Sequence, residues 1–340
     1  MSEFADLLAK AKCGLTLTRA EMRRAMDLLL EKEVADDDIA AFLLALKAHG
    51  ESVDEIVAAA EAMRVRALRV NAPENAIDTC GTGGDGADTF NISTAVGLIV
   101  AGCGVPVAKH GNRSASSRSG SSDVLEALGV NLSAPPAIIE RCIREAKIGF
   151  MFAAYHHRAV AHVAAVRRKL GVRTLFNVLG PLANPAGARR QLMGVYDRAL
   201  TAPLAEALMK LGADHAWVVC GADGLDELTT TGESFVSEAK GGAVRSFVVT
   251  PEDAGLPRAS LADLKGGDPA ENATALRQLL DGEGGPYRDI AVLNAAAALV
   301  VAGRAASLFE GARLATDAID EGAARRALER LVAISNEEPT

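Results

Sequence analysis

Four stretches carry residue types suited to binding a phosphorylated ligand. The first is Cys80-Gly81-Thr82-Gly83-Gly84-Asp85-Gly86, with four glycines in six residues. Glycine loses more conformational freedom on folding than any other residue, so such a cluster serves either a tight turn or a ligand that must reach the bare backbone. The stretch matches neither G-x-x-x-x-G-K nor G-x-G-x-x-G, and both readings stay open on these residues alone. The second runs from Lys109 through His110, Asn112, Arg113, Ser114 and Arg118 to Ser121, Ser122 and Asp123. Four basic groups and several hydroxyls on one loop predict a local anion site, against the plainer reading of a solvated linker. Ser121 or Ser122 is the expected N-cap of the helix that follows.

The third stretch holds Arg167, Arg168, Lys169 and Arg173 near an expected helix C-terminus, where the helix dipole alone accounts for cations. The fourth is Gly221-Ala222-Asp223-Gly224-Leu225-Asp226-Glu227, after an expected strand. Adjacent acids there suit a hard cation, and magnesium takes one or two carboxylates together with phosphate oxygens and water. An exposed acidic turn is the plainer reading; beside two anion-binding loops, a metal bridging to pyrophosphate is the better one. The six histidines show no H-E-x-x-H spacing, so no zinc site is expected.

Such loops need a scaffold that gathers them. The first ~70 residues read as helical throughout. Thr18 and Glu21 form a capping-box pattern, IAAFLLALKAHG (39–50) ends in glycine, and VDEIVAAAEAMRVRAL (53–68) continues in the same style. From Ala76 short apolar runs (AIDTC, VPVAKHG, IGFMFA, LMGVY, AWVVCGA, RSFVVT) alternate with helical stretches at 92–103, 122–128, 136–146, 157–170 and 201–212. The tail, 288–334, is helical again. This pattern predicts an α/β fold: a small all-helical domain, residues 1–70 with an added helical segment near 165–190, and a larger domain, 71–340, with a mostly parallel central sheet flanked by helices. The glycine cluster then lies at a strand's carboxyl end and ahead of a helix N-terminus, where open α/β sheets bind anions.

Composition narrows the function. A net charge of −8 and 4% aromatic residues disfavour nucleic acid as a partner. Cysteines 13, 80, 103, 142 and 220 are scattered, as expected of reduced thiols in the cytoplasm. MSEFADLLAKAK lacks the apolar core of a signal peptide, and the longest apolar runs fall short of a membrane span.

The four stretches, in this order, resemble the anthranilate phosphoribosyltransferase family: GTGGDGADTFNIST (81–94), KHGNRSASSRSGSSDVLEALGV (109–130), VRRKLGVRTLFNVLGPLANP (166–185) and GADGLDE (221–227). The N-terminal LTRAEMRRAMDLLLEKEVADDDIAAFLLALKAHGES resembles the family's helical domain. The resemblance implies transfer of a 5-phosphoribosyl group from phosphoribosyl pyrophosphate to the amine of anthranilate, in tryptophan biosynthesis, with Mg²⁺, in a cytoplasmic homodimer paired through the helical domains. It implies donor binding by Gly81, Thr82, Gly83, Gly84, Asp85, Thr89, Asn91, Ser93, Thr94, Lys109 and Ser121, with the 113–121 loop folding over the donor. It implies anthranilate binding by Gly81, His110, Asn112, Arg167 and Pro181, and metal binding by Ser93, Asp226 and Glu227. No strong general base is expected, His110 being the one weak candidate. Ala154 and Arg158 stand where the family has prolines. The rival readings are a pyrimidine nucleoside phosphorylase-like enzyme and a non-catalytic nucleic-acid-binding homologue.

Overall fold

The computed structural model describes residues 3–114 and 118–338. Four helices come first: α1 (Glu3–Lys12), α2 (Arg19–Leu30), α3 (Asp36–His49) and α4 (Val53–Arg66). The capping box at α2 is present, with the Glu21 N–H donating to Thr18 Oγ1 at 3.3 Å and the Thr18 N–H donating to Glu21 at 2.8 Å. Ser52 and Glu55 form a second box at α4, with the same spacing.

The remaining chain runs β1 (Ile77–Gly81), α5 (Ile92–Gly102), β2 (Val107–Gly111), α6 (Ser121–Ala127), α7 (Pro136–Arg141), β3 (Ile148–Phe152), α8 (Ala153–His156), α9 (Ala161–Leu170), α10 (Phe176–Leu182), β4 (Arg190–Gly194), α11 (Thr201–Lys210), β5 (His215–Gly221), β6 (Ser234–Lys240), β7 (Ala243–Val249), α12 (Pro269–Leu280), α13 (Pro286–Val301), α14 (Leu308–Asp320) and α15 (Ala323–Ser335). One sheet has the order β3-β2-β1-β4-β5-β6-β7. The first five strands are parallel and the last two antiparallel, so the sheet is mostly parallel, as expected. Strand β6 is absent from the sequence reading because SFVSEAK is half polar. Its signal was Gly241-Gly242, whose φ angles of 58° and 80° make the two-residue hairpin turn.

The expected helix 157–170 is interrupted. His157 leaves the helical conformation (φ −116°, ψ 55°), and its ring packs against His110. The expected helix 136–146 closes in a π turn at Cys142–Ala146.

One sheet face packs on α5, α13, α14 and α15. The other packs on α11, and its apolar core continues without a break into the helical bundle, from Val218 and Cys220 through Leu179 and Leu182 to Met22 and Phe42. Half-buried Arg64 of α4 ties the two together, donating to the carbonyls of Leu182 (2.7 Å) and Leu211 (3.1 Å). Strands are added outward from β1 to β3, and the chain then returns to set β4 against the free side of β1. This reversal opens a crevice at the carboxyl ends of β1 and β4.

Candidate active site

A cleft of about 340 Å³ occupies that crevice. It gathers Gly81, Thr82, Gly83, Gly84, Asp85, Thr89, Asn91, Ser93, Lys109, His110, Asn112, Ser121, Arg167, Pro181, Asp226 and Glu227, from stretches far apart in sequence. Thr94 is the exception. It is fully buried behind the cleft, and among the described residues its hydroxyl meets no partner. The 113–121 loop is described only at its ends, residues 115–117 lying outside the described residues.

The glycine cluster has the conformation that only glycine adopts easily: Gly83, Gly84 and Gly86 have φ of 66°, 80° and 73°. The loop is fastened on both sides. The Gly83 N–H donates to Asp226 Oδ2 at 2.7 Å, and the Gly84 carbonyl accepts from the Arg173 guanidinium, which stacks on Tyr196 at 3.9 Å. Arg173, expected as a helix-end charge, is therefore an anchor of the glycine loop. Gly81 and Gly194 are register partners on β1 and β4, and Asp226 crosses over both. A Cβ on Gly81 would overlap the Asp226 carboxylate, and one on Gly194 the Asp226 carbonyl. Gly194 is missing from the sequence reading; a glycine inside an apolar strand is the sign of such a close approach.

Three acids crowd this spot. Burial, with the charge of Asp85 next, pushes the Asp226 carboxyl up to about 8. Burial and then Asp226 push Glu227 well up, with Lys109 opposing. Asp223 stands apart, bonded by the hydroxyls of Thr229 (2.6 Å) and Thr231 (2.7 Å). Two adjacent, crowded carboxylates, Asp226 half-buried and Glu227 buried, fit a divalent cation. Among the described residues no three His, Cys, Asp or Glu side chains form a metal cage, so magnesium held here draws most of its shell from a guest and water.

Lys109 is buried, and its ammonium donates to the Thr79 carbonyl and to Ser93 Oγ (3.2 Å). Burial lowers its pKa, and the negative field of Asp78 opposes that. Asp78 is itself raised to about 6 by burial and accepts from Asn184 at 2.7 Å. Neither Asp78 nor Asn184 features in the sequence reading, since their roles rest on contacts across the sheet. The expected basic patch on this loop does not exist as a free one. Arg113 is bound by Asp123 (2.6 Å) and Glu126 (2.9 Å), and Arg118 lies 3.8 Å from Glu271. The N-cap of α6 is Gly120 rather than Ser121 or Ser122. Asp123 reaches back to the Gly120 N–H at 2.9 Å, leaving Ser121 at the cleft.

His110 Nδ1 lies 3.1 Å from the Gly180 carbonyl, which fixes the proton on Nδ1. Burial, followed by His157 and His156, holds its pKa well below the usual value. An imidazole so hard to protonate is a weak base at pH 7. Burial likewise lowers His157 to about 4. Unfolding frees these rings to take up protons, so the unfolded chain binds more protons than the native one between pH 4 and 6.5. The share of stability set by these rings should therefore fall as pH drops through that window, by on the order of 3 kcal/mol from His157 alone. Urea midpoints of the wild type and of His157→Asn at pH 7 and pH 5 check this: the wild-type-minus-variant difference should be smaller at pH 5, and an unchanged difference would refute it.

Arg167 donates to Asn177 Oδ1 at 3.2 Å and lies 5.5 Å from the Phe176 ring centre. Burial lowers its pKa. Among the described residues no carboxylate pairs with it, and its Nε is buried without a partner. A planar cation in that condition suits a guest carboxylate. Ala153, beside the departure at Ala154, lines the cleft, while Arg158 lies 4.9 Å over the Tyr155 ring.

Residues 5–67 match a model described as "Glycosyl transferase family, helical bundle domain", and residues 73–325 match "Glycosyl transferase family, a/b domain". The chain is 59% identical over 336 residues to an anthranilate phosphoribosyltransferase of Parvibaculum lavamentivorans, covering 99% of this chain and 98% of the relative. It is 47% identical to the solved anthranilate phosphoribosyltransferase of Thermus thermophilus, with TM-score 0.93 and 98% and 100% of the two chains covered. The enzyme of Saccharomyces cerevisiae, solved in complex with PRPP and Mg, is 28% identical with TM-score 0.88, covering 97% of this chain and 98% of its own.

Proposed function

The chain belongs to the anthranilate phosphoribosyltransferase family and transfers a 5-phosphoribosyl group from phosphoribosyl pyrophosphate to the anthranilate amine, and we propose that it does so with the cleft residues described above. The observation that carries the assignment is the pairing, in one cleft, of crowded carboxylates beneath a glycine loop with a half-buried arginine whose Nε is buried and which, among the described residues, lacks an acidic partner.

Departure of pyrophosphate from C1 of the ribose builds positive charge on the sugar and negative charge on the leaving group. The glycine loop 81–85, Thr89, Asn91, Ser93, Lys109 and Ser121 bind the donor, and backbone N–H groups and Lys109 stabilise the leaving diphosphate. Asp226 and Glu227, with Ser93 close by, would hold magnesium, which would supply positive charge to stabilise the leaving diphosphate. His110, Asn112, Gly81 and Pro181 line the acceptor path, and Arg167 takes the anthranilate carboxylate. The aromatic amine is neutral and nucleophilic at pH 7, so it needs orientation more than deprotonation. His110, held neutral, orients rather than removes a proton.

Loss of anthranilate fluorescence on mixing with phosphoribosyl pyrophosphate and Mg²⁺ tests this reading, with an EDTA sample alongside. No loss despite donor binding would overturn it. Arg167→Lys should raise the anthranilate KM roughly tenfold, since lysine cannot reproduce a planar fork, and leave the donor KM near its original value. An unchanged anthranilate KM would remove Arg167 from the acceptor site. We further propose a cytoplasmic homodimer paired through the helical bundle, supported by the exposed Leu15 and Leu44 side chains there and by the absence of any helix, among the described residues, long and apolar enough to cross a membrane.

A further inference from the structure

Asn272, in the first turns of α12, is fully buried, and no step above uses it. Its Oδ1 accepts from the Gly267 N–H at 2.7 Å. A backbone N–H can only donate, so this contact fixes which end of the Asn272 amide is oxygen. Its Nδ2 donates to Asn91 Oδ1 at 2.9 Å. That oxygen also accepts from Ser119 Oγ at 3.2 Å, and Asn91 Nδ2 donates to the Ser119 carbonyl at 3.1 Å. The chain of bonds has one direction, from a backbone donor through two amides to the Ser119 backbone at the cleft.

Asn91 stands at the N-cap of α5, yet its side chain makes no capping bond there. The backbone around it is braced independently. The Gly266 N–H donates to Asp88 (2.9 Å), the Phe90 N–H donates to Leu264 (3.1 Å), and Thr89 bridges to Lys265. Asn272 is thus not needed to hold residues 88–91 in position. What it fixes from the side away from the loop, together with the Ser119 carbonyl that accepts from Asn91 Nδ2, is which face of the Asn91 amide meets an anionic guest. Turned as observed, Asn91 has a second Nδ2 hydrogen to offer. Flipped, it would set a carbonyl lone pair against phosphate or ribose oxygens.

We propose that Asn272 is a positioning residue for donor binding, acting through Asn91 by locking its amide with the N–H₂ end toward the Ser119 carbonyl. The proposal rests on the reading that Asn91 contacts the phosphoribosyl donor. Three variants and one double variant test it through the KM of each substrate, kcat and the thermal midpoint: Asn91→Ala, Asn272→Leu, Asn272→Asp, and Asn91→Ala with Asn272→Leu. Asn272→Asp keeps an acceptor for the Gly267 N–H and, when ionised, loses the donor to Asn91, so it separates amide orientation from folding. Asn91→Ala and both Asn272 variants should each raise the donor KM roughly five- to tenfold and leave the anthranilate KM within about twofold. In the double variant the donor KM should equal that of Asn91→Ala alone. A donor KM that rises for Asn91→Ala but not for either Asn272 variant overturns the proposal, as does a multiplied effect in the double variant. An unchanged donor KM in Asn91→Ala overturns both the role of Asn91 and the proposal built on it.

Discussion

Replacing the two cleft acids together, Asp226→Asn with Glu227→Gln, is expected to lower kcat on the order of a thousandfold, while Tm holds or rises. The first effect follows from losing the only pair of carboxylates proposed to hold magnesium against the leaving diphosphate, a contribution of several kcal/mol to the barrier. The second follows from what the metal-free site costs. Burial raises both pKa values, helped by the charge of Asp85 at Asp226, which reaches about 8, and by the charge of Asp226 at Glu227. A carboxyl with a raised native pKa holds its proton more tightly than the unfolded chain does. The share of metal-free stability set by these two carboxyls therefore falls as pH climbs from about 4 to about 8, opposite in sign to the histidine share. The double variant removes that penalty, and the amide oxygen it places at position 226 can still accept the Gly83 N–H. Calorimetry with and without Mg²⁺ at pH 6 and pH 8 should show a metal-induced rise in Tm that is larger at pH 8 and absent from the variant. Full turnover in the variant, or an equal metal response, would refute the assignment.

Gly194→Ala should lower kcat/KM roughly a hundredfold without unfolding the protein. The added methyl would overlap the Asp226 carbonyl, so the acidic segment must retreat by about 1 Å or more. Displacement on that scale costs about two orders of magnitude when a reacting geometry is set by the displaced group. The same shift breaks the Gly83–Asp226 bond, releasing one side of the glycine loop. Gly284→Ala is the matched control, since a methyl there meets nothing within 4 Å and the backbone is not left-handed. Steady-state kinetics of the two variants, with circular dichroism of each, decide the matter. Wild-type activity in Gly194→Ala would show that Asp226 need not lie where it does.

Much of the site could be read from sequence because its chemistry is written in runs. The glycine cluster, the Asp226-Glu227 pair and the strand-to-helix alternation are local, and each has its own physical signature. Residues that act across the sheet have none. Asp78 and Asn184 look like a strand polar and a turn asparagine, and Gly194 like a break in an apolar strand. Arg173 looks like a helix-end charge, and Asn272 like an ordinary residue of a helix start. The basic loop misled for a related reason. Composition counts Arg113 as a free cation, but Asp123 and Glu126 one helical turn apart neutralise it. The expected serine N-cap of α6 is not found because a glycine fills that position, the Asp123 carboxylate accepting its N–H and the Asn112 carbonyl accepting the Ser122 N–H.

The unbroken core between the helical bundle and the sheet bears on how the chain is made. Helices α1 to α4 leave the ribosome first, but β5, which completes the sheet face they share, ends about 150 residues later. At 5–20 residues per second the apolar sides of those helices wait on the order of ten seconds for their partners. Strand β1 waits likewise for β4. The nascent protein thus has a long interval in which chaperone capture competes with aggregation, and slowing translation between residues 66 and 221 lengthens it.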